Sequence, residues 1–217
     1  MSFIDRKPVS IGRAQRTQRD DRCFVVATDD TYAPRQYFDG LSFPRVKVIV
    51  LETERDSGMS APVHVVRRLK DAYQRCKNAN EVLEDDEFWV LLDTDHHLEP
   101  NHIDGTLAAV QTATQAGIKI AFSNPCFELW LLLHHADVAP GTVFANCDAV
   151  GLELKTHLGG YNKTSLRPAD FPQSRIPDAI RRARTLEATP DTPEGYWPQT
   201  TGTRIYRLFE RIQATQI

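Results

Sequence analysis

Four short runs of apolar, mostly β-branched residues alternate with longer stretches of helical period, and this alternation limits the fold of the 217-residue chain most strongly. The runs are CFVVAT (23–28), VKVIVLE (46–52), EFWVLLD (87–93) and IKIAFS (118–123). Strands that are apolar on both faces are typical of a parallel sheet covered by helices on both sides. The sequence therefore predicts an α/β fold with a central parallel sheet.

Helices are predicted between and after these runs. Pro62 favours a helix start, and the continuous apolar run CFELWLLLHHA (126–136) predicts a buried helix. We expect residues 23–217 to form one domain, with an α/β core over 23–135 and a helical and loop elaboration over 136–217. Further helices are predicted over 33–41, 62–79, 101–115, 175–188 and 203–213.

Composition and charge exclude several classes of protein. With 41% hydrophobic and 25% charged residues and a net charge of −3, the composition is that of an ordinary globular protein. Because there is no apolar run near the roughly 18 residues of a membrane span and no signal-peptide core, we expect a cytoplasmic protein with no membrane partner. Residues 1–22 carry six basic and three acidic side chains. They predict a flexible basic arm, which is either a solvated tail or a contact for nucleic acid.

The four cysteines stand apart from one another. Cys23, Cys76, Cys126 and Cys147 lack the CxxC spacing of a zinc or thioredoxin-like site, so they predict reduced thiols. Cys23 and Cys126 adjoin apolar runs, where cysteine usually acts as a small buried hydrophobe.

A pair of aspartates ends the third predicted strand, in the string LLDTDHH. Asp93 and Asp95 occupy alternate positions, so their side chains share one face and their Cα atoms lie about 6–7 Å apart. Carboxylates held this close repel each other unless a cation lies between them, and oxygen ligands suit Mg²⁺ or Mn²⁺. Alternatively, one or both aspartates cap the next turn or helix. His96 and His97 follow directly and either extend the site toward softer metals or line its entrance.

More carboxylates follow the first predicted strand. Asp29 and Asp30 would face the D-x-D pair across the switch point of the sheet if the first and third strands are neighbours. Such a group could bind a metal that keeps open positions for a phosphate. The alternative for these residues is an Asx turn into the next helix.

Three kinds of D-x-D protein come into question. A haloacid-dehalogenase-type phosphatase is disfavoured, because His97 stands at the fifth motif position and the motif follows the third strand. The string LLDTDHHLEPNHI is similar to a nucleotide-sugar glycosyltransferase motif, but no donor or acceptor domain of the usual length follows. A Toprim domain, with an acidic residue after its first strand and D-x-D after its third, matches the order of elements.

Several longer strings resemble the RloB family. They are SNPCFELWLLLHH (123–135), YFDGL (37–41), LLDTD (91–95), YNK (161–163) and P-x-T-x-x-T-R-x-Y-x-L (198–208), and the resemblance runs from about Cys23 to Ile212. This Toprim-like family is related to the nuclease domains of OLD-type defence proteins and occurs in bacterial abortive-infection and restriction-linked loci beside an ABC-type ATPase. The resemblance implies a Mg²⁺- or Mn²⁺-dependent nuclease of antiphage defence. Its substrate would be tRNA or DNA, and the ATPase would be its partner.

The resemblance also assigns site residues. Asp93 and Asp95 match the family's D-x-D, and Asp29 takes the place of a glutamate in the family string CEGEKTE, so these three should bind metal. Lys163 matches a family lysine and would stabilise charge that develops on phosphate. Because aspartate is one methylene shorter than glutamate, a second hypothesis is a binding or regulatory subunit with little or no catalysis.

Two further residues of the NPCFELWLLLHH string are candidates. Glu128 is a carboxylate in an apolar segment, so it either takes part in the metal site or pairs with a basic residue. His134 either shuttles a proton or donates to phosphate, or it is a hydrogen-bonded structural histidine.

Overall fold

A five-stranded, mostly parallel sheet forms the centre of the structure, a computed structural model that describes residues 21–51, 53–54, 58–187 and 195–215. The strand order is β2-β1-β3-β4-β5, in which β1 to β4 are parallel and β5 runs antiparallel to β4. This arrangement confirms the predicted Toprim-like α/β fold. The strands are β1 (Arg22–Thr28), β2 (Val46–Leu51), β3 (Glu87–Asp93), β4 (Lys119–Asn124) and β5 (Gly202–Thr203).

Helices cover both faces of this sheet. The helix Ile176–Glu187 is preceded by two short 3₁₀ turns, Pro168–Asp170 and Gln173–Arg175. In the described residues the helices are α1 (Ala33–Asp39), α2 (Pro62–Asn78), α3 (Ile103–Gln115), α4 (Glu128–Leu132), α5 (Cys147–Leu158), α6 (Ile176–Glu187) and α7 (Ile205–Ala214). None of these helices is both long and apolar enough to cross a membrane.

The core has two halves because successive strand residues point to opposite faces. Phe24 and Val26 of β1 pack with α1 and α4 to α7, whereas Val25 and Ala27 pack with α2 and α3. A strand such as β1, buried on both faces, is what a parallel sheet with helices on both sides requires.

The structure corrects two expectations and adds two elements. The helix predicted over 126–136 is shorter, because the amides of His134 and His135 bond to carbonyls only three residues back, which tightens the chain into turns after α4. Neither α5 nor the short edge strand β5 was located from the sequence. Arg22, assigned to the basic arm, begins β1, and the rest of that arm, up to residue 20, lies outside the described residues.

Candidate functional site

The carboxyl ends of β1 and β3 lie side by side. Thr28 and Leu91 are partners in the parallel register, while β2 pairs with the other side of β1. The sheet order therefore reverses between β1 and β3, and this is the position at which open α/β sheets bind ligands. The first and third strands are thus neighbours, which was the condition for Asp29 and Asp30 to face the D-x-D pair, and both residues lie beside the D-x-D segment.

A cleft of about 620 Å³ opens at this edge of the sheet. Its lining includes the four aspartates that were identified from the sequence, together with one lysine, three histidines and one cysteine. We use the term acidic edge for Asp29, Asp30, Asp93, Asp95 and the adjacent Glu128. The other polar residues named here are Lys163, His96, His97, His102 and Cys147.

Asp29 and Asp93 are held by hydrogen bonds that leave part of each carboxylate open. Asp29 Oδ2 accepts from the Asp93 amide at 3.1 Å and from His97 Nε2 at 2.9 Å. Asp93 Oδ1 accepts from the Phe127 amide at 2.9 Å, just before α4. Asp95 Oδ2 accepts from the Cys147 thiol at 3.0 Å. Within the described residues the other oxygen of each aspartate has no hydrogen-bond partner, so all three can still take a ligand.

Lys163 bridges the two remaining carboxylates. Its Nζ lies 2.7 Å from Asp30 Oδ2 and 3.4 Å from Glu128 Oε1, and Tyr161 donates to the same Glu128 oxygen at 3.1 Å. Asp30 also accepts from the Tyr32 amide at 2.7 Å, which is the Asx turn into α1 that the sequence left open. Glu128 does pair with a basic residue, but it does so at the acidic edge itself.

A glycine turn and a glutamine position Lys163. Helix α5 is capped by the next residue, Gly159, whose φ of 67° is a left-handed conformation that glycine adopts without strain. Gln36 of α1 then bonds to the following loop twice, donating to the Lys163 carbonyl at 3.2 Å and accepting from the Leu166 amide at 2.9 Å. The side chain of Lys163 is thereby brought to the cleft by α1 and the end of α5.

Negative charge exceeds positive charge at the acidic edge. Burial raises the pKa of the Asp93 carboxyl well above its ordinary value, and the carboxylates of Asp29 and Glu128 raise it further. Burial alone would lower the pKa of Lys163, but Glu128 and Asp30 outweigh it and raise that pKa. A single lysine is thus close to several carboxylates, and ionised Asp93 lacks sufficient compensation in the protein alone.

His134 lies apart from the acidic edge. It is 1% exposed, its Nδ1 donates to the Trp130 carbonyl at 2.9 Å, and its Nε2 accepts from the Tyr37 hydroxyl at 3.0 Å. It does not line the cleft, so its contacts are those of a hydrogen-bonded histidine in the core. Of the six residues proposed from the sequence, the structure brings Asp29, Asp93, Asp95, Glu128 and Lys163 together.

Sequence reasoning missed two thiols at this site. The burial of Cys126 was predicted correctly, but its neighbour Cys147 comes from α5, a helix that had not been located. Ligand atoms of Asp93, Cys126, Glu128 and Cys147 all lie within 4.8 Å of one another. The two cysteines are separated by twenty residues of chain, so no motif spacing could have paired them.

Comparison with protein families gives one match. The family model described as RloB-like protein matches residues 24–212, which is most of the chain. No curated protein and no solved structure matches.

Proposed function

We propose, from the premise that the chain belongs to the RloB-like family, that it is a Mg²⁺- or Mn²⁺-dependent nuclease. The substrate would be a phosphodiester of tRNA or DNA. Asp29, Asp93 and Asp95 would hold the metal. The observation that carries the proposal is the position of these three carboxylates, which line one cleft at the switch point of the sheet.

The residues present fit a hard divalent cation. Each of the three aspartates has an oxygen without a hydrogen-bond partner within the described part of the chain, and carboxylate oxygen is the preferred ligand of Mg²⁺ and Mn²⁺. Among the described residues Lys163 is the only lysine or arginine that forms an ion pair with the acidic edge, and it pairs with Asp30 and Glu128, not with these three aspartates. A bound cation would supply Lewis-acid chemistry to a phosphate and compensate the excess negative charge.

The chain's own groups have separate tasks in this proposal. His97 donates to Asp29 Oδ2 and fixes the orientation of that carboxylate. The Phe127 amide does the same for Asp93. Lys163 is protonated and lines the cleft, where it would stabilise charge that develops on a phosphate oxygen. Asp30 and Glu128 keep Lys163 charged and in place.

A partner would supply control. The 217 residues contain no P-loop string, and the proposal therefore assigns nucleotide-dependent control to a companion chain. The family resemblance suggests a companion ABC-type ATPase and a role in bacterial antiphage defence.

A regulatory subunit without catalysis is the alternative function. It is favoured by one observation: Asp29, which is shorter than the family's glutamate, already accepts two hydrogen bonds on one oxygen. In that case the acidic edge would bind a metal without cleaving nucleic acid.

Cleavage assays separate the two functions. Purified protein is incubated with tRNA and with plasmid DNA in the presence of Mg²⁺, Mn²⁺ or a chelator, and Asp93→Ala is run alongside. The nuclease proposal expects metal-dependent cleavage that Asp93→Ala abolishes. Cleavage that is unchanged in Asp93→Ala would exclude the proposed site, and metal binding without cleavage, including with the ATPase present, would favour the regulatory subunit.

A further inference from the structure

Two thiols lie against the carboxylates of the acidic edge. Cys126 is fully buried in the segment before α4, and Cys147 is the first residue of α5 and lines the cleft. Their Sγ atoms lie within 4.8 Å of each other and of carboxylate oxygens from Asp93 and Glu128. The nuclease proposal uses neither thiol.

A second, independent observation points to a ligand at this place. The side chain of Glu128 is 4% exposed, yet its Oε2 has no hydrogen-bond partner among the described residues. Tyr161 and Lys163 both contact Oε1 instead. Because a buried carboxylate oxygen without a partner loses its hydration and gains nothing in return, a cation at Oε2 would remove a real cost.

We propose that Cys126, Cys147, Glu128 and Asp93 form a site for a thiophilic divalent cation such as Zn²⁺. Two thiolates and two carboxylates are a tetrahedral ligand set of the kind that Zn²⁺ takes. With Zn–S near 2.3 Å and Zn–O near 2.0–2.2 Å, neighbouring ligand atoms are about 3.3–3.8 Å apart, so separations of up to 4.8 Å need to contract by at most about 1.5 Å.

This site differs from the one proposed for Mg²⁺ or Mn²⁺. Thiolates select soft or borderline cations and disfavour Mg²⁺, and neither Asp29 nor Asp95 belongs to the set. Asp93 is common to both sites, so the thiophilic cation either adjoins the hard cation or takes a ligand from it. The inference goes beyond the proposed nuclease and does not depend on it.

Cobalt binding tests the site directly. Co²⁺ replaces Zn²⁺ and reports thiolate ligands by a sulfur-to-metal charge-transfer band in the near ultraviolet. Reduced full-length protein should bind one Co²⁺ with this band, and Zn²⁺ should abolish it. Cys147→Ser should weaken binding by about 10- to 100-fold or more and remove most of the band. Cys76→Ser is the matched control, because Cys76 lies on α2 and is not part of the cluster.

The variants are chosen so that misfolding cannot imitate the result. Cys126 is fully buried, so the partly exposed Cys147 carries the test, and circular dichroism checks each fold. Glu128→Gln should also weaken Co²⁺ binding. The site is refuted if wild-type protein with four reduced thiols shows no charge-transfer band, or if Cys147→Ser keeps it. Mg²⁺-dependent cleavage without a cobalt–thiolate band would leave the nuclease proposal standing and remove only this site.

Discussion

Glu128 and His134 are six residues apart in one buried segment, yet their surroundings are opposite. Glu128 belongs to the acidic edge and has a buried oxygen without a partner in the described residues. His134 is packed edge-on against the rings of Tyr37, Trp130 and Phe171, and both of its nitrogens are hydrogen-bonded. We call these four residues the aromatic cluster. In the aromatic cluster, both ring nitrogens of His134 have hydrogen-bond partners. In the acidic edge, the negative charge of the carboxylates exceeds the nearby positive charge.

The difference separates stability from function. A fully hydrogen-bonded buried group stabilises one conformation, whereas uncompensated buried charge lowers stability unless a ligand binds. We therefore expect substitutions in the aromatic cluster to lower stability without altering cleavage activity. Substitutions in the acidic edge should lower cleavage activity and can raise the stability of the metal-free protein.

The largest effect is expected from Asp93→Asn. Because this change removes a proposed metal ligand, metal-dependent cleavage should fall by at least about 100-fold. The Tm of the metal-free protein should stay equal or rise, since repulsion with Asp29 and Glu128 is relieved. Asp178→Asn, on the exposed side of α6, is the control. Full activity of Asp93→Asn would contradict the claim that the acidic edge serves catalysis. A lower Tm that explains its loss of activity would show that Asp93 serves stability instead.

Lys163→Met should have the next largest effect. The change removes the lysine that is proposed to stabilise phosphate charge, so kcat should fall by about 10²- to 10³-fold. Mn²⁺ affinity should not fall, because a positive charge is removed from the cleft. Lys70→Met on α2, where the side chain is exposed, provides the control. A loss of Mn²⁺ affinity equal to the loss of kcat would mean that Lys163 acts only by holding the carboxylates.

The two regions should respond oppositely to pH. Burial lowers the pKa of His134 to about 4, below its unfolded value near 6.5, so this stabilisation is present above pH 6.5 and is lost as the pH falls toward 4. The pKa of Asp93 is raised above an unfolded value near 3.9, so its contribution is lost as the pH rises through the folded pKa. The two pH ranges overlap above about pH 4, so thermal melts of metal-free variants separate the two contributions. Asp93→Asn should remove only the loss of stability on raising the pH and keep the loss on lowering it, and a profile identical to wild type would contradict this.

Tyr37→Phe should give the smallest change. It leaves His134 Nε2 without its donor, at a cost of about 1–2 kcal/mol, which lowers Tm by about 2–4 °C for each kcal/mol. Cleavage per folded molecule should be unchanged, as Tyr37 does not line the cleft. Loss of kcat in a fully folded Tyr37→Phe protein would show that the aromatic cluster belongs to the active site.

Much of this fold could be predicted from local sequence. The four parallel strands are apolar on both faces, and periodicity identified α2, α3, α6 and α7 to within a few residues. Two elements were missed for physical reasons. Strand β5 has only two residues, too few for a period, and α5 buries only Val150 and Leu154, so its apolar face is narrow.

The site was harder to predict than the fold. Asp93 and Asp95 are recognisable in the sequence as a pair after an apolar strand. The pairing of β1 with β3 places Asp29 beside them. The partnership of Cys126 with Cys147 depends on how α5 packs, which sequence spacing does not encode. His134 was a candidate from the sequence but lies in the core. Its hydrogen-bond partners, which the sequence does not give, distinguish a core histidine from a catalytic one.

Mn²⁺ binding to the acidic edge tests the central claim most directly. Chelator-treated protein is titrated with Mn²⁺ and free metal is measured by electron paramagnetic resonance, for wild type, Asp95→Ala and the control Asp178→Asn. Asp95 accepts from the Cys147 thiol but is not one of the four proposed thiophilic ligands, so its removal takes away a ligand of the hard-cation site only. Wild type and Asp178→Asn should bind Mn²⁺ equally, and Asp95→Ala should bind at least about tenfold more weakly. Equal binding by all three proteins would contradict the assignment.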